Sequence, residues 1–247
     1  MEEECNMILT RNLTRKYGEK TAVDNLSLTV AEGELFALLG VNGAGKTTTV
    51  RMLSCLSAPT SGEAFVGGHS CTMESGAVKQ IIGLSPQDTA VAEHLTVREN
   101  LEFMAAVYGH GKTGIRERTD RCIEEFSLGE VSNQRAQTLS GGWKRKLSIA
   151  MALISDPKVI FLDEPTLGLD VLARRELWRE IEKLKGKKTV VLTTHYMEEA
   201  EHLADRIAIM VSGRIAATGT LKEILALAEA DNLEDAFVRI AEKEGIA

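Results

Sequence analysis

The sequence predicts an α/β fold with a mainly parallel sheet, and three features carry that prediction. Residues Gly40, Val41, Asn42, Gly43, Ala44, Gly45, Lys46 and Thr47 complete the pattern G-x-x-x-x-G-K-[ST]. The apolar run Leu35-Phe36-Ala37-Leu38-Leu39 just before it reads as a buried strand, and residues 48–55, from Thr48 on, read as the start of a helix. Two further apolar runs, 159–162 and 189–193, follow with helical patterns around them. Strands alternating with helices make a parallel sheet the natural core.

The elements follow in order. The first forty residues alternate apolar and polar positions, with turn signals at Tyr17-Gly18, Asp24-Asn25 and Glu32-Gly33. They predict an N-terminal antiparallel β subdomain feeding the glycine-loop strand. Residues 62–66 and 81–84 also read as β structure. From about 96 to 152 the pattern turns helical, with Glu99, Leu101, Phe103, Met104 and Val107 at helical spacing. An inserted α-helical subdomain is expected over about 88–155. Residues 172–184 predict an amphipathic helix with charge pairs at i,i+4. Ser212-Gly213 predicts a hairpin between 207–210 and 215–217, and 221–228 and 233–242 predict helices. The expected organisation is one domain over 1–220, with 221–247 as its short helical tail.

Composition narrows the setting. The chain has 44% hydrophobic and 26% charged residues, ordinary for a globular protein. Its net charge is −7 with no basic block, so nucleic acid is not an expected partner. Cys5, Cys55, Cys71 and Cys122 lie far apart in sequence with no CxxC pair, which argues against a zinc site or a disulfide scaffold and suits a reducing cytosol. The start Met1-Glu2-Glu3-Glu4 is acidic where a secretory signal would be basic. No apolar run approaches the length that spans a bilayer. Action at a membrane would need another chain to hold this one there.

The chemistry starts at the glycine loop. Its glycines let backbone N–H groups turn toward a phosphate, and the helix N-terminus adds free donors and a positive dipole end. Lys46 can neutralise β- and γ-phosphates, and the Thr47 hydroxyl can ligate Mg²⁺. Asp163 ends an apolar strand, placed to hold Mg²⁺ through a water opposite Thr47. Glu164, one position on, is placed to polarise an attacking water as general base. Ser140-Gly141-Gly142 precedes a helix carrying Lys144, Arg145 and Lys146 and offers a second phosphate-binding surface. By itself that segment reads equally well as an ordinary N-cap with a flexible turn.

Taken in order, these segments resemble the ATP-binding cassette (ABC) ATPases over about residues 13–219. The resemblance rests on Leu139-Ser140-Gly141-Gly142 as the signature, and on Asp163-Glu164-Pro165-Thr166-Leu167-Gly168-Leu169-Asp170 as the Walker B end and D-loop. Thr194-His195 resembles the switch histidine, Gln87 the Q-loop glutamine, and Tyr17 the aromatic that stacks on adenine. The sequence departs from the family pattern at Trp143, where Gln is common, and at Val41, where Pro is frequent. The resemblance implies a P-loop NTPase core that binds ATP and Mg²⁺. Tyr17, residues Gly40 to Thr48, Gln87, Ser140 and Gly142 would contact nucleotide. Thr47, Gln87 and Asp163 would hold the metal, and Glu164, His195 and Lys46 would carry the catalysis.

It also implies that one chain cannot complete a site. Two cassettes, a homodimer or a heterodimer, would pack head to tail around two ATP molecules. Residues 93–101, within the 88–108 stretch that follows the Q-loop, residues 194–200 and the motif Leu233-Glu234-Asp235-Ala236-Phe237 resemble ABC-2-type exporters, whose ATPases work under a separate polytopic transmembrane subunit. The expected place is then the cytoplasm, peripheral on the inner face of the cell membrane. Three other readings rank lower. Translation or DNA-repair ATPases have two cassettes or long coiled-coil insertions. Importer ATPases fit the 167–169 segment and the tail less well. A non-hydrolysing sensor would not need the Asp163-Glu164 pair.

Overall fold

The computed structural model describes residues 6–109 and 111–243. The acidic start, Cys5 and the last residues of the tail, 244–247, lie outside them.

Two sheets organise the chain. In the first, β1 (Asn6–Tyr17) pairs antiparallel with β2 (Lys20–Ala31) and β4 (Ser61–Val66), and β5 (His69–Ser70) extends the edge. Turns do form at 18–19 and 32–33, but not at Asp24-Asn25, where β2 runs straight through. The register shifts there from Leu13↔Leu26 to Arg15↔Val23, and Asn25 takes φ 50°. An extra residue is absorbed as a β-bulge, and Asn tolerates the left-handed backbone better than most residues. The Asn25 N–H donates to Thr14 Oγ1 at 3.0 Å, so the bulged peptide keeps a partner.

The second sheet holds six strands in the order β10-β9-β3-β8-β7-β6. These are β3 (Leu35–Leu39), β6 (Ile82–Ser85), β7 (Val159–Asp163), β8 (Thr189–Thr194), β9 (Arg206–Val211) and β10 (Arg214–Gly219). All pairs are parallel except the β9–β10 hairpin. Both faces are covered. Leu35, Ala37 and Leu39 face one apolar cluster with Ile160, Leu162, Val190 and Leu192, while Phe36 and Leu38 face another with Phe161 and Val191. That double burial is why these strands read as unbroken apolar runs.

Around the sheet lie α1 (Lys46–Leu53), α2 (Ser75–Ile81), α3 (Val97–Val107), α4 (Lys112–Glu125), α5 (Gly141–Leu153), α6 (Val171–Glu182), α7 (Met197–Leu203), α8 (Leu221–Ala228) and α9 (Leu233–Lys243). Helix α3 buries a different face from the one its spacing suggests. Val97, Asn100, Leu101 and Ala105 point inward, whereas Phe103 and Val107 are 57% and 62% exposed. Glu99 closes a capping box with Thr96 instead of lining a face. Cys55 and Cys71, distant in sequence, come together as free thiols, and burial pushes the Cys71 thiol up to about 12.

Helix α7 is pinned to α6 by a buried acid. Glu199 is fully buried, and the Trp178 indole N–H donates to its Oε1 at 3.1 Å. The Thr194 and Thr166 hydroxyls interact with the same carboxylate, while its Oε2 and the Thr166 hydroxyl each lack a hydrogen bond of ordinary geometry. Burial raises the Glu199 pKa above its ordinary 4.5. A folded-state pKa above the unfolded one adds stability below pH 4.5 and loses it as pH rises through the folded value. Glu199→Gln, neutral at every pH, is therefore expected to gain thermal stability relative to the parent as pH rises from 4.5 toward 8. A melting-temperature difference that stays flat over that range would reject this account.

Candidate active site

The phosphate loop leaves the carboxyl end of β3, a central strand, where parallel sheets open their ligand crevice. Gly45 begins α1 with φ 106°, a conformation L side chains avoid, and a Cβ there would run into the Ala22 carbonyl. Gly40 is equally constrained, because a Cβ would meet the Met210 carbonyl oxygen. The loop thus folds tightly against β2 and β9.

A cleft of about 490 Å³ opens above the loop. Of the residues singled out by sequence, Tyr17, Asn42, Gly43, Ala44, Gly45, Lys46, Thr47, Thr48, Gln87, Glu164 and His195 line it. Gly40 and Val41 do not line the cleft and supply carbonyls. Lys46 Nζ donates to the oxygens of both, at 2.6 and 3.2 Å. Tyr17 is 47% exposed at the mouth, with the Arg15 guanidinium 4.6 Å from its ring centre.

The inner end of the cleft is built from the ends of β7 and β8. Asp163 is buried and accepts from the Thr47 hydroxyl at 3.0 Å and the Thr193 hydroxyl at 2.5 Å. Glu164 stands just past the strand with φ 49°, left-handed for a non-glycine residue. Such a backbone persists where its surroundings impose it. Here the Glu164 N–H donates to the Thr193 hydroxyl at 3.0 Å and the Thr193 carbonyl at 3.1 Å. The turn aims the carboxylate inward, with Oε1 3.1 Å from Lys46 Nζ and Oε2 2.8 Å from His195 Nδ1. The Lys46 and Glu164 side chains are only 5% and 6% exposed, so the pair sits in a screened, low-dielectric setting. His195 stacks on Tyr196 with ring centres 4.1 Å apart.

Ser140 and Gly142 do not line this cleft. Ser140 occupies the N-cap position of α5, yet its side chain makes no capping hydrogen bond. A Cβ on Gly142 would press on the Ala173 Cβ at 3.1 Å, so glycine lets α5 approach α6. Trp143, the departure from the family pattern, lies under Lys146, whose Nζ is 4.8 Å from its ring centre and 3.1 Å from Glu176 Oε2. Lys20 and Ala22 also line the cleft and escaped the sequence reading, because they sit outside any motif and are brought in at the start of β2; Leu167, within the stretch that resembles the D-loop, lines it as well.

A glycine loop at a central strand end, facing a lysine–carboxylate–histidine chain, defines a nucleoside-triphosphate-hydrolysing class of protein. Residues 23–167 match the family model described as ABC transporter, and the chain belongs to that family. It is 43% identical over 234 residues to the daunorubicin resistance ATP-binding protein DrrA3 of Streptomyces coeruleorubidus, spanning 94% of this chain and 74% of that one. It is 42% identical over 202 residues to the human phospholipid-transporting ATPase ABCA3, spanning 82% of this chain but only 12% of that one. The dimeric cassette MJ0796, in a post-hydrolysis state bound to ADP and Pi, superposes with TM-score 0.78 at 28% identity, covering 87% of this chain and 99% of that one. The chain is an ATP-binding, ATP-hydrolysing component of a transporter, and an ATPase of translation or DNA repair is set aside.

Proposed function

We propose that this chain drives an exporter, closing on a second cassette around ATP and transmitting that closure to a separate polytopic membrane subunit. The observation that carries the two-chain reading is the position of the signature. Ser140 and Gly142 lie outside their own chain's cleft, and the Ser140 hydroxyl is not spent on capping α5. They suit the γ-phosphate held by a partner cassette, and the dimeric state of MJ0796 supports the same arrangement. ATP would bridge the two chains, and loss of the γ-phosphate would release them.

Within one site, Lys46 and the loop N–H groups would hold the β- and γ-phosphates, with Tyr17 against the adenine. The hydroxyl and carboxylate oxygens of Thr47 and Asp163 suit Mg²⁺, a hard cation, and Gln87 would complete that set. Bound there, Mg²⁺ would neutralise charge on the phosphate oxygens. Glu164 would take the proton of the attacking water, and His195 would fix the Glu164 carboxylate and meet the γ-phosphate. The nucleotide-binding domain would span 1–220 with its helical subdomain at about 88–155, and the rest would be its tail.

Export, rather than import, is supported by the similarity to the daunorubicin resistance protein DrrA3. Exposed Phe103, Val107 and Tyr108, at the end of α3, offer an apolar surface to the membrane subunit. No helix among the described residues is long and apolar enough to cross a membrane, so attachment to the cell membrane's inner face would come through that subunit. The test is recovery of tagged Glu164→Gln from native membranes with MgATP, followed by mass spectrometry. A co-purifying polytopic membrane protein is the expected result. Ribosomal or DNA-repair proteins in its place would overturn the transport assignment.

A further inference from the structure

Helix α5 carries Ser140 and Gly142 at its start and, one turn later, grips the segment that carries Gln87. Arg145 is buried at 4% exposure. One guanidinium nitrogen donates to the Pro86 carbonyl at 2.7 Å and the other to the Gln87 carbonyl at 2.6 Å. Three residues on, the Ser148 hydroxyl lies 2.9 Å from the Ser85 hydroxyl, both buried. Two consecutive carbonyls on one rigid, planar fork fix the peptide between them, and with it the direction in which Gln87 leaves the chain. Burial penalises the Arg145 charge, and the carboxylates of Asp163, Asp88, Glu199 and Glu164 oppose that penalty. The buried cation thus keeps its charge in the field of these carboxylates while it holds the Gln87 backbone.

We propose that Arg145 is a positioning residue that locks the Gln87 peptide to α5. The signature that would meet a partner's nucleotide and the glutamine that serves this chain's own cleft then move as one body. Gln87 reaches its working position only when α5 is in place, so each site would sense whether its chain is docked on the other. This rests on the role proposed for Gln87 above.

The test uses Arg145→Lys, Gln87→Ala, their double variant and Ser148→Ala in the full chain. Steady-state ATPase, ATP affinity in EDTA and amide exchange are measured on each. Lysine keeps the charge but loses the rigid planar fork that meets the two carbonyls in fixed directions from two separate nitrogens, so kcat should fall about tenfold, the equivalent of one charge-assisted hydrogen bond. ATP affinity should stay within about twofold, because the phosphate loop is untouched. Exchange at the amides of Gln87 and Asp88 should quicken about tenfold while that of α1 holds. In the Gln87→Ala background, Arg145→Lys should cost less than about a further twofold, since both act through one group. Ser148→Ala, a small truncation, should quicken the same amides if the lysine variant fails to fold. Losses that multiply, or unchanged exchange at 87–88, would overturn the proposal. Full kcat in Gln87→Ala would overturn the glutamine's role itself, and faster exchange in Arg145→Lys would then show that the clasp exists without it.

Discussion

Glu164→Gln should bind MgATP, lose about 10²–10⁴-fold in kcat and accumulate as a nucleotide-bound dimer. The substitution keeps the shape of the side chain and removes only its capacity to take a proton. Its neighbours make the change local. The left-handed turn at Glu164 is imposed by backbone N–H bonds to Thr193, which the amide leaves intact. The amide oxygen can still accept from Lys46 or His195. The carboxylate also has a second occupation in the structure, 3.1 Å from Lys46 Nζ. An incoming γ-phosphate must displace it there, so removing its charge should raise ATP affinity even as turnover stops. Phosphate release, nucleotide titration and sedimentation with MgATP measure the three effects. Turnover within a few-fold of the parent would remove Glu164 from the role of base.

The sequence exposed most of this site because its chemistry is concentrated in short, contiguous stretches. The loop from Gly40 to Thr48 must be glycine-rich to fold against Ala22 and Met210, and the acids must follow a buried strand. Both demands write themselves into neighbouring residues. Lys20 and Ala22 line the same cleft without a motif, because their positions follow from how β2 lies over the loop. The core strands were legible for the same reason of locality, since burial on both faces leaves an apolar run. Helices α2 and α7 were not. Each has seven residues, α2 buries only Val78, and α7 buries Glu199 among its inward positions, so neither shows an apolar stripe. At Asp24-Asn25 the composition of a turn served a bulge, because pairing with β1 continued on both sides. The face that α3 buries was set by Asn100, whose amide is held by the carbonyls of Ala92 and Thr96. A polar residue satisfied in this way is invisible to a count of apolar spacing.

Lys46→Ala should lower ATP affinity by about 10–100-fold, the cost of one or two charge-assisted contacts to phosphate. It should also destabilise the nucleotide-free chain, and the two effects have different origins. In the structure Lys46 Nζ is shared among the carbonyls of Gly40 and Val41 and the Glu164 carboxylate. Truncation leaves a buried acid with only His195 beside it, and breaking a buried pair from one side costs about 3 kcal/mol or more. Adding Glu164→Gln removes the orphaned charge, so the double variant should recover most of that stability. Its affinity should still fall well short of the parent's, because the phosphate lacks its cation even with the carboxylate's repulsion removed. Thermal melts without nucleotide and ATP titrations on the single and double variants separate the two terms. If Lys46→Ala binds ATP as the parent does, the lysine is a structural partner of Glu164 and the phosphate is held by the loop N–H groups alone. If the double variant melts no higher than Lys46→Ala, the 3.1 Å pair contributes little to the fold, and Lys46 is held in the cleft by the loop carbonyls.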